Sequence, residues 1–212
     1  MHTATTHRRL SDGGLYAITD GPRSDLIDAC TRALQGGATL LQYRDKTSDH
    51  ARRRAEAREL VALCADYGVP LIVNDDVDLA VAIGARGVHL GEHDRDIASA
   101  RVHLGTDTII GVSCYASIEL AREAAKNGAN YLAFGAFFDS PTKPHARRAT
   151  PDLLRAAKPL GLPLVAIGGI TPDNAPTLIE AGADFLAVIS GVFGQADVCA
   201  AAQAYKKLFD TD

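Results

Sequence analysis

The sequence predicts a single-domain α/β chain closed as a (β/α)8 TIM barrel, and three observations predict it. Eight short apolar, β-branched runs alternate with segments of helical period. A Gly-Ala pair recurs immediately before each even-numbered run. The GxGxxG fingerprint that an open doubly wound sheet carries after its first strand is missing, which disfavours that competitor.

The elements follow in order. A polar stretch, MHTATTHRRLSDGG, lacks the apolar centre of a signal peptide, so residues 1–13 read as a flexible tail and 14–212 as the barrel. LYAITD (15–20) is the first run; SDLIDACTRALQ follows with helical spacing, and Gly37-Ala38-Thr39 leads into TLLQYRDK (39–46). ARRRAEARELVALCADY is the next helix, stopped by Gly68-Val69-Pro70, because proline cannot continue a helix. LIVND (71–75), DVDLAVAIG, Gly84-Ala85-Arg86 and GVHLG (87–91) form the second pair of strands. TIIGVS (108–113), SIELAREAAKN, Gly128-Ala129-Asn130 and YLAFGA (131–136) form the third. Gly161-Leu162-Pro163 precedes LVAIGG (164–169), and NAPTLIEA with Gly182-Ala183-Asp184 precedes FLAVIS (185–190). The recurrent glycine suits a left-handed helix cap, and runs apolar on both faces suit parallel strands covered by helices. A two-strand, two-helix unit repeated at even spacing is what a closed barrel requires.

With 212 residues and 47% hydrophobic content, the chain can bury one substantial core and is short for two. A net charge of -4 and a pI near 6.0 mark no general polyanion-binding surface, and no apolar run approaches membrane-spanning length. No nucleic-acid and no membrane partner is expected, and any anion site must be local. Cys30, Cys64, Cys114 and Cys199 lie far apart without a CxxC pair, as free thiols in a reducing cytosol would. The expected location is cytoplasmic.

A barrel brings the C-terminal ends of its strands to one mouth, where barrel enzymes place their chemistry. Side chains alternate along a strand, so in LLQYRDKT the residues Leu40, Gln42, Arg44 and Lys46 share one face while Leu41, Tyr43 and Asp45 share the other. The first face runs from apolar to basic and looks into the mouth. The third run ends in Asn74-Asp75-Asp76, and the fourth leads to Gly91-Glu92-His93-Asp94. Mg2+ prefers one or two carboxylates plus phosphate oxygens from a substrate, and Asp75 and Asp94 on adjacent strands can supply that pair. Asp76 suits the cap of the next helix. His89 and His93 are four apart in a strand-to-loop context, which fits a packed or hydrogen-bonded His89 better than a zinc site.

Ser113 ends the fifth run with a hydroxyl that can donate to an anion. The sixth leads into GAFFDSPTKPHARRAT, where Ser140, Thr142 and Lys143 cluster in a polar, proline-marked loop suited to a flap over ligand. The seventh and eighth runs enter Ile167-Gly168-Gly169-Ile170-Thr171 and Val188-Ile189-Ser190-Gly191, the two loops from which barrels often hold a phosphate on backbone N–H groups. Two anion sites follow: one for a monophosphate, and one in which Arg44, Lys46, Lys143, Asn74 and Ser113 join two carboxylates around Mg2+ and a diphosphate. Transfer with loss of pyrophosphate is the reaction class this suggests.

The set LYAITD, LLQYRDK, LIVNDD, GVHLGEHD, IGVS, FGAFFDSPTKP, VAIGGIT and AVIS resembles the thiamine-phosphate synthase family, in order and across nearly the whole chain after the tail. The resemblance implies an enzyme that joins hydroxymethylpyrimidine diphosphate to hydroxyethylthiazole phosphate, releasing pyrophosphate. It implies that Gln42, Tyr43, Arg44, Asp45, Lys46, Asn74, Ser113 and Lys143 bind the pyrimidine diphosphate, with Arg44, Lys46, Ser113 and Lys143 the catalytic set. It further implies Ser140, Pro141, Thr142, Gly169, Ile189 and Ser190 around the thiazole phosphate, and Asp75 and Asp94 on one Mg2+. The implied mechanism is dissociative and needs no protein nucleophile. The sequence leaves a homo-oligomer open.

Three positions depart from the family pattern: Tyr115 stands where histidine is frequent, Glu92 where glutamine is, and Ser140 where threonine is. A related thiazole tautomerase, which needs no diphosphate site, and a silent thiazole-phosphate-binding relative are the rivals. Retention of Arg44, Lys46, Asp75, Asp94 and Lys143 together argues against both.

Overall fold

A computed structural model of the chain describes residues 10, 13–92, 94, 96–138 and 148–210. Eight parallel strands, β1 (Gly14–Ile18), β2 (Ala38–Tyr43), β3 (Leu71–Asn74), β4 (Gly87–Leu90), β5 (Ile109–Tyr115), β6 (Tyr131–Phe134), β7 (Leu164–Ile167) and β8 (Phe185–Val188), pair in chain order. β8 returns to β1 through Gly14 opposite Phe185, closing the barrel expected from the sequence. Outside it lie α1 (Leu26–Gln35), α2 (His50–Asp66), α3 (Val77–Ile83), α4 (Ile97–Leu104), α5 (Ile118–Lys126), α6 (Pro151–Ala157), α7 (Pro176–Glu180), α8 (Ser190–Phe193) and α9 (Val198–Lys206). The expected tail falls almost entirely outside the described residues.

Two apolar layers hold this arrangement. One side chain set, including Ile18, Leu40, Ile72, Val165 and Phe185, fills the barrel itself. The other, including Leu41, Val73, Leu132 and Leu186, lies between the strands and the helices. Consecutive residues Leu40 and Leu41 therefore serve different layers, as the period of two requires. Helix starts are fixed locally: Asp49, Asp76, Asp96, Ser117 and Asp197 each accept a hydrogen bond from the backbone N–H three residues on. At the other end, Gly84 closes α3 with φ +68, a backbone state that suits glycine.

The observed elements differ from the sequence expectation chiefly at their ends. The run TLLQYRDK stops being strand at Tyr43, because the backbone of Arg44 leaves the ladder: its N–H donates to Thr19 Oγ1 at 2.8 Å, and the Thr19 hydroxyl donates back to its carbonyl at 3.1 Å. β5 instead runs on to Tyr115 through an irregularity after Ser113. Helices α4, α6 and α9 are not among the segments that hydrophobic period picks out. IASARVHL and VCAAAQAYK offer little contrast between their faces.

Candidate active site

The barrel interior is apolar at its base and changes to a polar chain near the mouth. Gly87 on β4 and Gly111 on β5 have no side chains, and the space is taken by Ile72 and the ring of Tyr131. Tyr131 reaches across the lumen to Tyr16, oxygen to oxygen at 2.8 Å. Gln42 Nε2 donates to Tyr16 Oη at 2.7 Å, His89 Nδ1 lies 2.9 Å from Tyr131 Oη, and His89 Nε2 lies 2.8 Å from Ser113 Oγ. Burial raises both phenols above their ordinary pKa and lowers His89 to about 4, so all three are neutral near pH 7. With both ring nitrogens held by hydroxyls, His89 is the hydrogen-bonded histidine that the sequence favours over a zinc ligand; His93 lies outside the described residues. Tyr16 and Tyr131 are not legible as site residues in the sequence, although a glycine at the inward position of the neighbouring strand is the trace such a ring leaves.

Above this chain the ends of β3 and β4 bring two carboxylates together. Asp75 follows β3 in a left-handed conformation, φ +63, which Asp tolerates better than most residues. Its backbone N–H donates to the His89 carbonyl at 2.8 Å, tying it to β4. Asp94 Oδ2 accepts from Gly91 N–H at 2.6 Å, which anchors the loop after β4. Burial raises the Asp75 pKa, and the hydrogen bond and charge of Asp94 raise it further; Lys46, with Nζ 3.6 Å from Asp75 Oδ2, acts in the opposite direction. Two hard oxygen donors in mutual repulsion fit a magnesium ion, since a divalent cation between them turns that repulsion into attraction. Among the described residues no group of three or more His, Cys, Asp and Glu side chains is placed to hold a metal ion. Asp76 is engaged elsewhere, capping α3 through Leu79 N–H at 2.8 Å and pairing with Arg53 at 2.9 Å.

Of the residues expected around the pyrimidine diphosphate, Gln42, Lys46, Asn74 and Ser113 lie on the barrel lumen or at its mouth, and Arg44 follows β2 directly. The side chains of Tyr43 and Asp45 point to the opposite face. Tyr43 points to the outer layer, where its hydroxyl donates to Glu56 Oε2 on α2 at 2.7 Å. Asp45 accepts from Thr47 N–H at 2.8 Å and forms a 2.7 Å ion pair with Arg52 of α2. The QYRDK motif, taken as a block, draws both in, whereas strand alternation assigns them to the opposite face. Their side chains fasten the β2 end to α2. Ser140, Pro141, Thr142 and Lys143 lie outside the described residues.

The ends of β7 and β8 form the remaining rim. Gly168 and Gly169 both have positive φ, +106 and +62. A side chain at Gly168 would collide with Ala136, so the loops after β6 and β7 approach backbone to backbone; Phe138 N–H donates to the Gly168 carbonyl at 3.0 Å. Asn174 Nδ2 donates to the Gly169 carbonyl at 3.1 Å. Ile189 and Ser190 mark the turn from β8 into α8.

The sequence profile of the family described as thiamine monophosphate synthase matches residues 15–192. A thiamine-phosphate synthase of Xanthomonas campestris pv. campestris is 56% identical over 197 residues, covering 92% of this chain and 95% of the relative. One from Marinobacter nauticus is 52% identical over 201 residues, covering 92% and 90%. Among solved structures, a thiamine phosphate pyrophosphorylase from Pyrococcus furiosus superposes with a TM-score of 0.84 at 37% identity, over 93% of this chain and 95% of that one. By sequence, by fold and by the polar mouth of its barrel, the chain belongs to the thiamine monophosphate synthase family.

Proposed function

We propose that the protein joins the methylene carbon of hydroxymethylpyrimidine diphosphate to the ring nitrogen of hydroxyethylthiazole phosphate, forming thiamine phosphate and releasing pyrophosphate. The observation that carries this reading is the juxtaposition of Asp75, Asp94 and Lys46 at the mouth of the barrel. Neither a thiazole tautomerase nor a passive thiazole-phosphate binder needs a carboxylate pair with an adjacent ammonium.

Mg2+ held by Asp75 and Asp94 would supply positive charge to the diphosphate oxygens as they take up the electron pair of the breaking C–O bond. Lys46 adds a further charge on the same side, and Arg44, directly after β2, is assigned to the same role, as is Lys143, which lies outside the described residues. The aminopyrimidine ring stabilises the methylene cation left behind, and the thiazole nitrogen lone pair forms the new C–N bond. The chain's part is to hold the two substrates in line and to keep the leaving group stabilised. No protein nucleophile is required, and the buried thiols suit none: burial pushes Cys64 and Cys114 up to about 12, far from thiolate at neutral pH. Gly169, Ile189 and Ser190, with Ser140, Pro141 and Thr142, are assigned to the thiazole phosphate, supported by the close backbone approach at Gly168 and the positive φ of Gly169. No helix among the described residues is long and apolar enough to cross a membrane, and the free cysteines accord with a cytoplasmic location.

The test is to supply both substrates with and without Mg2+ and follow thiamine phosphate and pyrophosphate together. Equal, Mg2+-dependent yields support the reaction. Thiazole-phosphate binding without either product would replace it with the isomerase or binding reading.

A further inference from the structure

Gln42, Tyr16, Tyr131, His89 and Ser113 come from five different strands, β2, β1, β6, β4 and β5, and four of them have next to no solvent contact: Gln42 2%, Tyr16 1%, Tyr131 0% and His89 9% exposed. Each neighbouring pair is within 2.9 Å. In such an interior a hydroxyl that finds no acceptor costs as much as a lost hydrogen bond, so the hydrogens must run in one direction.

That direction is set at Gln42. Its Nε2 donates to Tyr16, so the Tyr16 hydrogen goes to Tyr131, and the Tyr131 hydrogen goes to His89 Nδ1. With Tyr131 donating to it, Nδ1 carries no hydrogen, so the His89 ring hydrogen sits on Nε2 and is donated to Ser113 Oγ. The Ser113 hydroxyl hydrogen is left for the mouth. The reverse polarity would require Gln42 to present Oε1 to Tyr16 and would direct the Ser113 hydrogen to His89.

We infer that these five residues act as one polarised hydrogen-bond chain that turns the Ser113 hydroxyl hydrogen toward the pyrimidine substrate, with Tyr16, Tyr131 and His89 as positioning residues. The inference rests on the proposed function for the identity of that substrate, not for the polarity. An acceptor atom of the substrate opposite Ser113 takes that hydrogen directly, whereas a donor there has only the remaining lone pair of Oγ and turns the serine hydrogen away from the substrate.

The polarity is read directly by long-range 1H–15N correlation on the full chain labelled at histidine, with the His89 signal identified by its loss in His89→Gln. The expected result is a single neutral tautomer with hydrogen on Nε2. A hydrogen on Nδ1 in the wild type would overturn the inference. Tyr131→Phe removes the donor to Nδ1. It is expected to mix the two tautomers and to lower kcat/KM for the pyrimidine diphosphate by about tenfold, with KM for the thiazole phosphate within about twofold. A folded Tyr131→Phe protein with both the tautomer and kcat/KM unchanged would also overturn it. Because the tautomer is recorded without substrate, an Nε2–H signal in a protein that makes no thiamine phosphate leaves the chain standing and removes the proposed reaction alone.

Discussion

The ring of Tyr131 occupies the space that a side chain at Gly111 would need, so that residues on two adjacent strands share one volume inside the barrel. A Cβ at position 111 would overlap that ring, and the ring is held at its far end by Tyr16 and His89. Gly111→Ala is therefore expected to destabilise the fold by about 1–3 kcal/mol, the range for overpacking a filled core. Thermal unfolding should show a fall of roughly 2–4 °C for each kcal/mol. A midpoint unchanged from the wild type would mean that Tyr131 lies elsewhere.

The carboxylates of Asp75 and Asp94 set stability against function. Asp94→Asn keeps an acceptor for Gly91 N–H and removes one of two repelling charges, so the metal-free protein should become slightly more stable. The same change removes a hard ligand. The Mg2+ concentration for half-maximal turnover is expected to rise by about tenfold or more. A magnesium titration that superposes on the wild type would take Asp94 out of the metal site.

Much of this is legible in the chain because it depends on local pattern. Strand order, the mouth, the Asp75 and Asp94 pair and the histidine's packed role all follow from period, turn chemistry and the rule that barrel strands end together. The polar interior is harder to see, since Tyr16 and Tyr131 are 115 residues apart and only the closed barrel brings their hydroxyls together. The side chains of Tyr43 and Asp45 are harder to place for a different reason. A motif read as a block overrides the alternation that already assigns them to the other face, and α2, with Glu56 and Arg52, shows what that face is for.

Asp45 provides a pH test of that placement. Burial opposes its charge, but hydrogen bonds from Thr47 and the pairing with Arg52 outweigh burial and hold the carboxyl below its ordinary pKa. A lowered folded pKa contributes stability that is present above the unfolded value of about 3.9 and is lost as pH falls through the folded one. Asp45→Asn should therefore lower stability at pH 7 and flatten its loss between about pH 5 and 2, with KM for both substrates unchanged. Urea unfolding across that range, together with steady-state kinetics, checks both halves. A raised KM at undiminished stability would return Asp45 to the substrate site.

Lys46 should behave in the opposite way. Its side chain is 63% exposed and its 3.6 Å contact with Asp75 is long for an ion pair, so its structural worth is small, within about 0.5 kcal/mol. Its position beside the carboxylate pair gives it a role only when diphosphate is present and negative charge grows on the leaving oxygens. Lys46→Met is expected to unfold at the wild-type temperature yet to lose about a hundredfold in turnover of the pyrimidine diphosphate, the scale of one charge removed from a transition state. Lys46→Arg should recover only part of this, because the planar guanidinium cannot place a compact charge where the ammonium sits. Comparable losses of stability and turnover in Lys46→Met would instead mean that the lysine holds Asp75 in place.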